Sequence, residues 1–370
     1  MKKTLLATAI AGALGASAAA QAATVYNQDG TQLDIYGNIQ IAYKSIDAGS
    51  STEDEVFDNG STVGFSGQHI INPGLTGYFK AEFEHQADEE KIRGGLDGGD
   101  QAYLGLKGNF GDVRLGSWDP LIDDWIQDPI SNNEYFDVSD SNSGINKVGS
   151  DDREGDKLQY MSPVMGGFQF ALGTQYKGDG DETEFGGYSF DPADGSVDNS
   201  NYSVDRDNDA SFFGGLKYAV GAFSIAAAYD NLGIYDGTVT EAGADSGLVA
   251  GEDYDAGDQY GVTAQYTIGT LRMAAKVERF DGDESDTDAD FYALGARWGY
   301  GYGDLYGAYQ YIDAEENSYV VEGDDDSFNE VILGATYNIS PAMYTFIEGA
   351  MYDQDSDIGD GVAVGAVYSF

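Results

Sequence analysis

From Leu33 onward the chain breaks into segments of about ten residues in which apolar and polar side chains alternate, the length a tilted strand needs to cross a bilayer. In 258–268, Tyr260, Val262, Ala264, Tyr266 and Ile268 alternate with Gln259, Gly261, Thr263, Gln265 and Thr267. Phe168, Phe170 and Leu172 oppose Gln169, Gly173 and Gln175, and Leu271, Met273 and Val277 oppose Arg272, Lys276 and Glu278. The last segment sets Val362, Val364, Ala366, Tyr368 and Phe370 on one face and mostly small residues on the other. Period 2 of this kind predicts strands with one apolar face.

The pattern predicts sixteen strands, near 33–44, 61–71, 75–88, 100–109, 111–118, 153–163, 167–177, 209–220, 222–232, 257–268, 270–281, 288–300, 303–313, 327–339, 341–353 and 358–370. The connections alternate between tight turns, such as 72–74, 109–111, 268–270 and 339–341, and long polar ones, such as 178–208, 232–256 and 313–327. The tight ones carry the Gly, Pro and Asn of turns. An even strand count with tight turns at one end and long loops at the other predicts an all-β fold, a 16-stranded antiparallel transmembrane β-barrel. A water-soluble sandwich also alternates, but its connections need not segregate. Aromatics near strand ends (Tyr218, Trp298, Tyr300, Tyr337, Tyr368) suit an interfacial girdle, although each alone fits ordinary strand propensity. A spanning sheet must close, because unpaired backbone groups in hydrocarbon cost several kcal/mol each. The last strand is therefore expected to pair with the first.

The third long connection, 119–150, has a pattern of its own. Asp119-Pro120 and Asp128-Pro129 read as helix starts, with Asp as N-cap and Pro at the first position. On a short helix Leu121, Ile122, Trp125 and Ile126 share one face, and Asp123 and Asp124 take the other. That apolar face needs a wall. The inside of the barrel supplies one; a helix folded over the mouth is the alternative.

Composition sharpens this picture. Residues 1–22 carry Lys2 and Lys3, a short apolar run and Ala20-Gln21-Ala22, the pattern of a signal peptide rather than a membrane anchor. Residues 23–370 then form the mature barrel. Without the two lysines the formal charge moves from −47 to −49. There is no cysteine, so an exported chain must be held together without disulfides. The connections 232–256, 281–289 and 313–327 hold 6, 5 and 7 acids and no Lys or Arg. Repulsion at this density is expected to keep these loops extended or to recruit cations. Three consequences stand side by side: cation selectivity that falls as salt rises, divalent-cation bridges to neighbouring lipopolysaccharide, and a hydrated surface in a saline habitat. Acidic stretches such as 179–181, 205–209 and 281–283 lack the Gly and Glu spacing of a calcium loop. With His69 and His85 as the only histidines and no phosphate-binding motif, no enzyme, metal site or cofactor is expected. Nucleic-acid binding is not expected at this charge.

The segments ATVYNQDGTQLDIYGNIQIAY, GFSG at 64–67, NPGLTGYFKAEFEHQ at 72–86, YLGLKGNFGDVRLGSWD at 103–119 and the terminal VAVGAVYSF resemble general diffusion porins, the trimeric outer-membrane channels of Gram-negative bacteria, of the enterobacterial and vibrio group. The resemblance implies short periplasmic turns, long extracellular loops, an inward-folded third loop, a homotrimer and passive diffusion of ions and small hydrophilic solutes. It also implies that the barrel-insertion machinery reads the terminal aromatics, Tyr368 and Phe370. For the pore constriction it implies an acidic loop, here Asp123, Asp124, Asp128 and Glu134, facing a basic wall. Arg153 stands where the family has an arginine, but the positions of three other family basics are Asn38, Thr62 and Asp100. Lys80, Arg114 and Lys157 have lumen-facing parity and partly replace them; each also fits a solvated charge or a structural ion pair. The alternatives are a substrate-specific porin, hinted at by Trp125, Tyr135 and Phe136, and a secreted acidic calcium-binding adhesin.

Overall fold

The computed structural model describes residues 22–49, 51–88, 96–142, 155–176, 182–185, 188–190, 197–199, 202–207, 210–243, 248–282, 288–314, 327–353 and 358–370. The expected signal peptide lies outside them, apart from Ala22. Sixteen antiparallel staves close into one barrel. They are β1 (Thr31–Asp47), β2 (Thr52–Asp58 and Thr62–Asn72), β3 (Leu75–His85) and β4 (Leu96–Gly108). Next come β5 (Gly111–Ser117), β6 (Lys157–Met161), β7 (Phe168–Tyr176), β8 (Ala210–Val220), β9 (Phe223–Asn231) and β10 (Asp258–Ile268). The circuit continues through β11 (Leu271–Asp281), β12 (Ala289–Gly299), β13 (Asp304–Ala314), β14 (Ser327–Ser340), β15 (Met343–Asp353) and β16 (Gly361–Ser369).

The alternation sets the two faces. On β16, Val362, Val364 and Tyr368 are exposed while Ala363 and Val367 are buried. Leu104, Leu172, Leu216, Leu294 and Leu333, each about 51–64 % exposed, continue the outer apolar surface on other staves. Exposed leucines repeated around a closed barrel form a lipid-facing belt, not a core turned inside out. β1 closes the circuit against β16 from Asn38↔Ser369 to Ile46↔Gly361. Beyond that ladder the Phe370 carbonyl accepts the Gly37 amide at 3.1 Å and the Phe370 amide donates to Gly37 at 2.9 Å.

Three expectations need correction. The first long connection is mostly strand: β1 runs to Asp47, and Thr52–Asp58 pairs with it before a break at 59–61. The acidic run Glu53-Asp54-Glu55 hides this hairpin, because charged residues interrupt the apolar alternation there. Second, a strand at Ala23–Gln28 pairs with the start of β1. Third, the acidic connection 232–256 is not simply extended, and its described strands pair with described strands of 178–208. Glu182–Phe185, Tyr202–Arg206, Gly237–Ala242 and Asp253–Tyr254 form a four-stranded sheet at the loop end. Tyr202, Val204, Tyr235 and Val239 are buried with Phe280, Phe291, Ile312 and Phe328 of the barrel. Burial of several large apolar side chains, about 1.5–3 kcal/mol each, outweighs the repulsion expected of the acids.

Candidate functional site

The loop that begins at Asp119 turns into the barrel and follows its inner wall. A π-helical turn, Asp123–Gln127, runs into an α-helical one, Asp128–Ser131. Leu121, Ile122, Trp125 and Ile126 are at most 5 % exposed. They pack on Ala171, Ala226 and Ala228 beside Phe213, so the three small wall residues make room for the large loop side chains. Ile130, Phe136 and Val138 do the same against Ala274, Ala293, Ala308 and Phe346. Asp123 and Asp128 are half-buried, and Asp124 is exposed to the lumen. The expected Asp caps are not made: Ile122 and Gln127 hold the cap positions without a side-chain bond. Asp119 instead accepts a hydrogen bond from Gln101 Nε2 at 2.5 Å.

Three inward-facing glutamates clasp this loop. Glu348 accepts the amides of Glu134 (2.9 Å), Tyr135 (3.1 Å) and Phe136 (2.5 Å), and the Tyr306 hydroxyl at 2.5 Å. Glu330 accepts the Ser139 amide at 2.8 Å and hydroxyl at 2.5 Å, and Gln310 Nε2 at 2.9 Å. Glu278 accepts Gln127 Nε2 at 2.6 Å and the Ser141 hydroxyl at 2.5 Å, and pairs with Lys276 at 2.7 Å. Hydrogen bonds to an ionised acceptor contribute about 1.5–3 kcal/mol each. These acids therefore position the pore loop.

The cations that meet the loop stand largely on the strands it packs against. Arg297 on β12 pairs with Glu134 at 3.0 Å and Asp304 at 3.2 Å, and donates to the Asn132 carbonyl at 3.1 Å. Tyr344 donates to the other Glu134 oxygen at 2.9 Å. Lys217 on β8 lies 4.6 Å from the Trp125 ring centre. Arg272 is the register partner of Arg297. Of the basic residues expected from the sequence, Arg114 lies 4.2 Å from the Trp118 ring centre. Lys157 is buried against the same ring at 5.1 Å and donates to the Trp118 carbonyl. Lys80 stands elsewhere, paired with Glu82 at 3.2 Å and donating to Gln101 at 3.1 Å. Arg153 lies outside the described residues. Sequence reasoning passed over Lys217, Arg272, Arg297 and the three clasping glutamates as site residues. Lumen-facing parity was their only signal.

The wall shifts the loop acids. Burial, reinforced by Asp128 and Asp140, pushes the Asp123 carboxyl up to about 9. Burial and Asp124 push Asp128 up to about 6, against the pull of Arg272 and Lys217. Asp124 is pushed up by its enclosure and by Asp119, opposed by Arg114, Lys217 and Lys157; its contact with lumen water weakens that enclosure. For Glu134, burial outweighs Tyr344 and Arg297 and the carboxyl is raised. Among the described residues no group of three His, Cys, Asp or Glu is placed to hold a metal ion.

A closed 16-stranded barrel with a loop folded into its lumen has known counterparts. The family model of Gram-negative porins matches residues 7–357. The chain belongs to the Gram-negative porin family. This porin is 52 % identical over 395 residues to a protein of a Halomonas species named a monosaccharide porin, with both chains covered in full. Among solved structures it resembles the anion-selective porin of Comamonas acidovorans, with a TM-score of 0.68 and 18 % identity over 92 % of this chain and 100 % of that one. It also resembles OmpT of Vibrio cholerae in a trimer form, with a TM-score of 0.60 and 17 % identity over 92 % of this chain and 100 % of that one. At such identities the structures report the fold alone. The family and the barrel make this porin a multi-pass protein of the Gram-negative outer membrane.

Proposed function

We propose that this porin forms a water-filled, cation-selective channel for passive diffusion of ions and small hydrophilic solutes, assembled as a homotrimer. The observation that carries this reading is the lumen face of the loop, where Asp124 is exposed and Asp123 and Asp128 are half-buried beside it. The net charge of −47 adds a field that draws cations to the mouth. The trimer-form relative among the solved structures supports the trimer. Asp123, Asp124, Asp128 and Glu134 form the acidic side of the constriction. Its basic side is Arg114, Lys157, Lys217, Arg272 and Arg297, set partly beneath the loop rather than wholly across from it. Residues 1–22 are removed as a signal, and the acidic loops bind divalent cations that bridge to lipopolysaccharide.

Planar-bilayer recording in a salt gradient tests the channel. Closure in three steps and a reversal potential of cation sign are expected, with the preference shrinking as salt rises. Anion preference overturns the selectivity. A sugar-conducting role is a second reading, favoured by the 52 % identity to the protein named a monosaccharide porin.

A further inference from the structure

The lumen wall of β1–β4 differs in chemistry from the wall under the loop. A cavity of about 640 Å³ lies against it, within the range of about 300–1,000 Å³ that holds small ligands. Three tyrosines line it, Tyr36, Tyr78 and Tyr103. Two of them lie along the wall because glycines stand behind them. A Cβ on Gly64 would meet the Tyr36 ring at 2.3 Å, and one on Gly105 would meet the Tyr78 ring at 2.4 Å. Tyr103 stands edge-on to Tyr78, with ring centres 6.2 Å apart. Side chains that both donate and accept, including Asn38, Gln40, Ser66 and Gln68, surround the rings.

The charges on this lining cancel. Asp34 and Glu82 are balanced by Lys80 and Lys107. Lys80 is tied to Glu82 at 3.2 Å, and Asp100 stands behind that pair. In a chain with 65 acids against 18 bases, a near-neutral lining is a local departure. Flat aromatic faces, two-way hydrogen-bonding groups and little net charge fit a ligand with an apolar ring face and several hydroxyls. An ion would find neither a strong counter-charge nor a closed shell of ligands.

We infer that the lumen wall of β1–β4, between the loop and the turn end of the barrel, carries a binding site for a monosaccharide. Tyr78, half-buried, is the stacking platform, and Tyr36, 7 % exposed, belongs to the wall that supports it. Asn38, Gln40 and Gln68 meet hydroxyls, and Lys80 and Glu82 order the sugar by donating and accepting at its edge. The site rests on the channel reading above and gives its second form a location.

The full chain in a planar bilayer tests this, with glucose as the added solute and ion-current fluctuation as the readout. Glucose is expected to interrupt the current in a saturable way, and urea, which lacks a ring face, is not. Tyr78→Leu and Gln68→Ala should each raise the half-saturating glucose concentration about tenfold, a loss of about 1.4 kcal/mol. Heat-modifiable gel migration reports whether each variant is folded, and Gln68→Ala, a truncation on the lumen surface, carries the test if Tyr78→Leu does not fold. A conducting channel whose current ignores glucose, or whose half-saturating glucose concentration stays at that of the unaltered protein in the folded variants, overturns the site and leaves the channel standing. Absence of conductance in the unaltered protein overturns both.

Discussion

Glu348 on β15 holds Phe136 on the pore loop: its Oε1 accepts the Phe136 amide at 2.5 Å across 212 positions of sequence. The same carboxylate takes the two preceding amides. Glu348→Ala removes both acceptor oxygens, and with them all three hydrogen bonds, and leaves those amides facing a widened gap. Such losses cost about 1–3 kcal/mol for each group left unsatisfied. The expected outcome is a lower temperature for the heat-modifiable gel shift and frequent brief closures in single-channel records. Glu348→Gln keeps one acceptor oxygen and should fall between. A quiet channel of unchanged heat stability in the alanine variant would count against the clasp.

The raised loop acids give the pore a pH dependence of known sign. A carboxyl whose folded pKa exceeds the unfolded value of about 3.9 is favoured protonated by folding. Its stabilising contribution is complete at acid pH and is lost as pH rises through the folded value, about 6 for Asp128 and about 9 for Asp123. Pore charge follows the same order. Cation preference should fall as pH drops through about 6 and rise again above about 9. Reversal potentials taken below about 6, between the two values and above about 9 measure it. Asp128→Asn should erase the lower step and Asp123→Asn the upper. Steps that survive both substitutions assign the titration to other groups.

The barrel was largely legible because lipid imposes period 2 on residues such as Val362, Val364 and Tyr368, and nothing else in the chain is so constrained. The helix face Leu121, Ile122, Trp125 and Ile126 was legible for a related reason, since a wet loop does not keep a one-sided apolar stripe. Legibility failed where the constraint came from distant contacts. Tyr202, Val204, Tyr235 and Val239 sit in acid-rich segments and find their core only against barrel strands such as β11 and β14. Glu134 meets Arg297 and Tyr344 from 163 and 210 positions away. Parity put Arg272 on the lumen face. It did not say which cations the loop would reach, because that depends on the loop's path.

Arg272 and Arg297 face one another across β11 and β12. Like charges directly opposed on one face destabilise a strand pair, and here Glu134 and Asp304 form ion pairs with Arg297, whereas Arg272 meets Asp128 and Asp304 through longer-range attraction. Arg272→Gln should therefore raise cation preference at little cost to stability. Arg297→Gln should raise it as well, but at about 1–3 kcal/mol, since Glu134 keeps only Tyr344 as a side-chain partner. Paired reversal potentials and thermal shifts separate the two effects. Equal stability losses in both variants would mean that the loop does not depend on Arg297.

Phe370 joins the two ends of the sheet through its backbone bonds to Gly37, and its ring lies where a Cβ on Gly37 would meet it at 2.8 Å. Deleting it removes two ladder bonds and the ring together. Phe370→Ala removes the ring alone. If closure is the whole role, the deletion should lower the temperature of the heat-modifiable shift and reduce the assembled fraction in the outer membrane, while the alanine variant changes both only slightly. If the insertion machinery also reads the terminal aromatics, Phe370→Ala should cut assembly in cells about as much as the deletion, yet the barrel refolded in detergent should keep most of its heat stability. Tyr368→Ala, whose side chain is exposed on the outer face of β16, should then add to the assembly defect. Normal assembly after deletion of Phe370 would reject both roles.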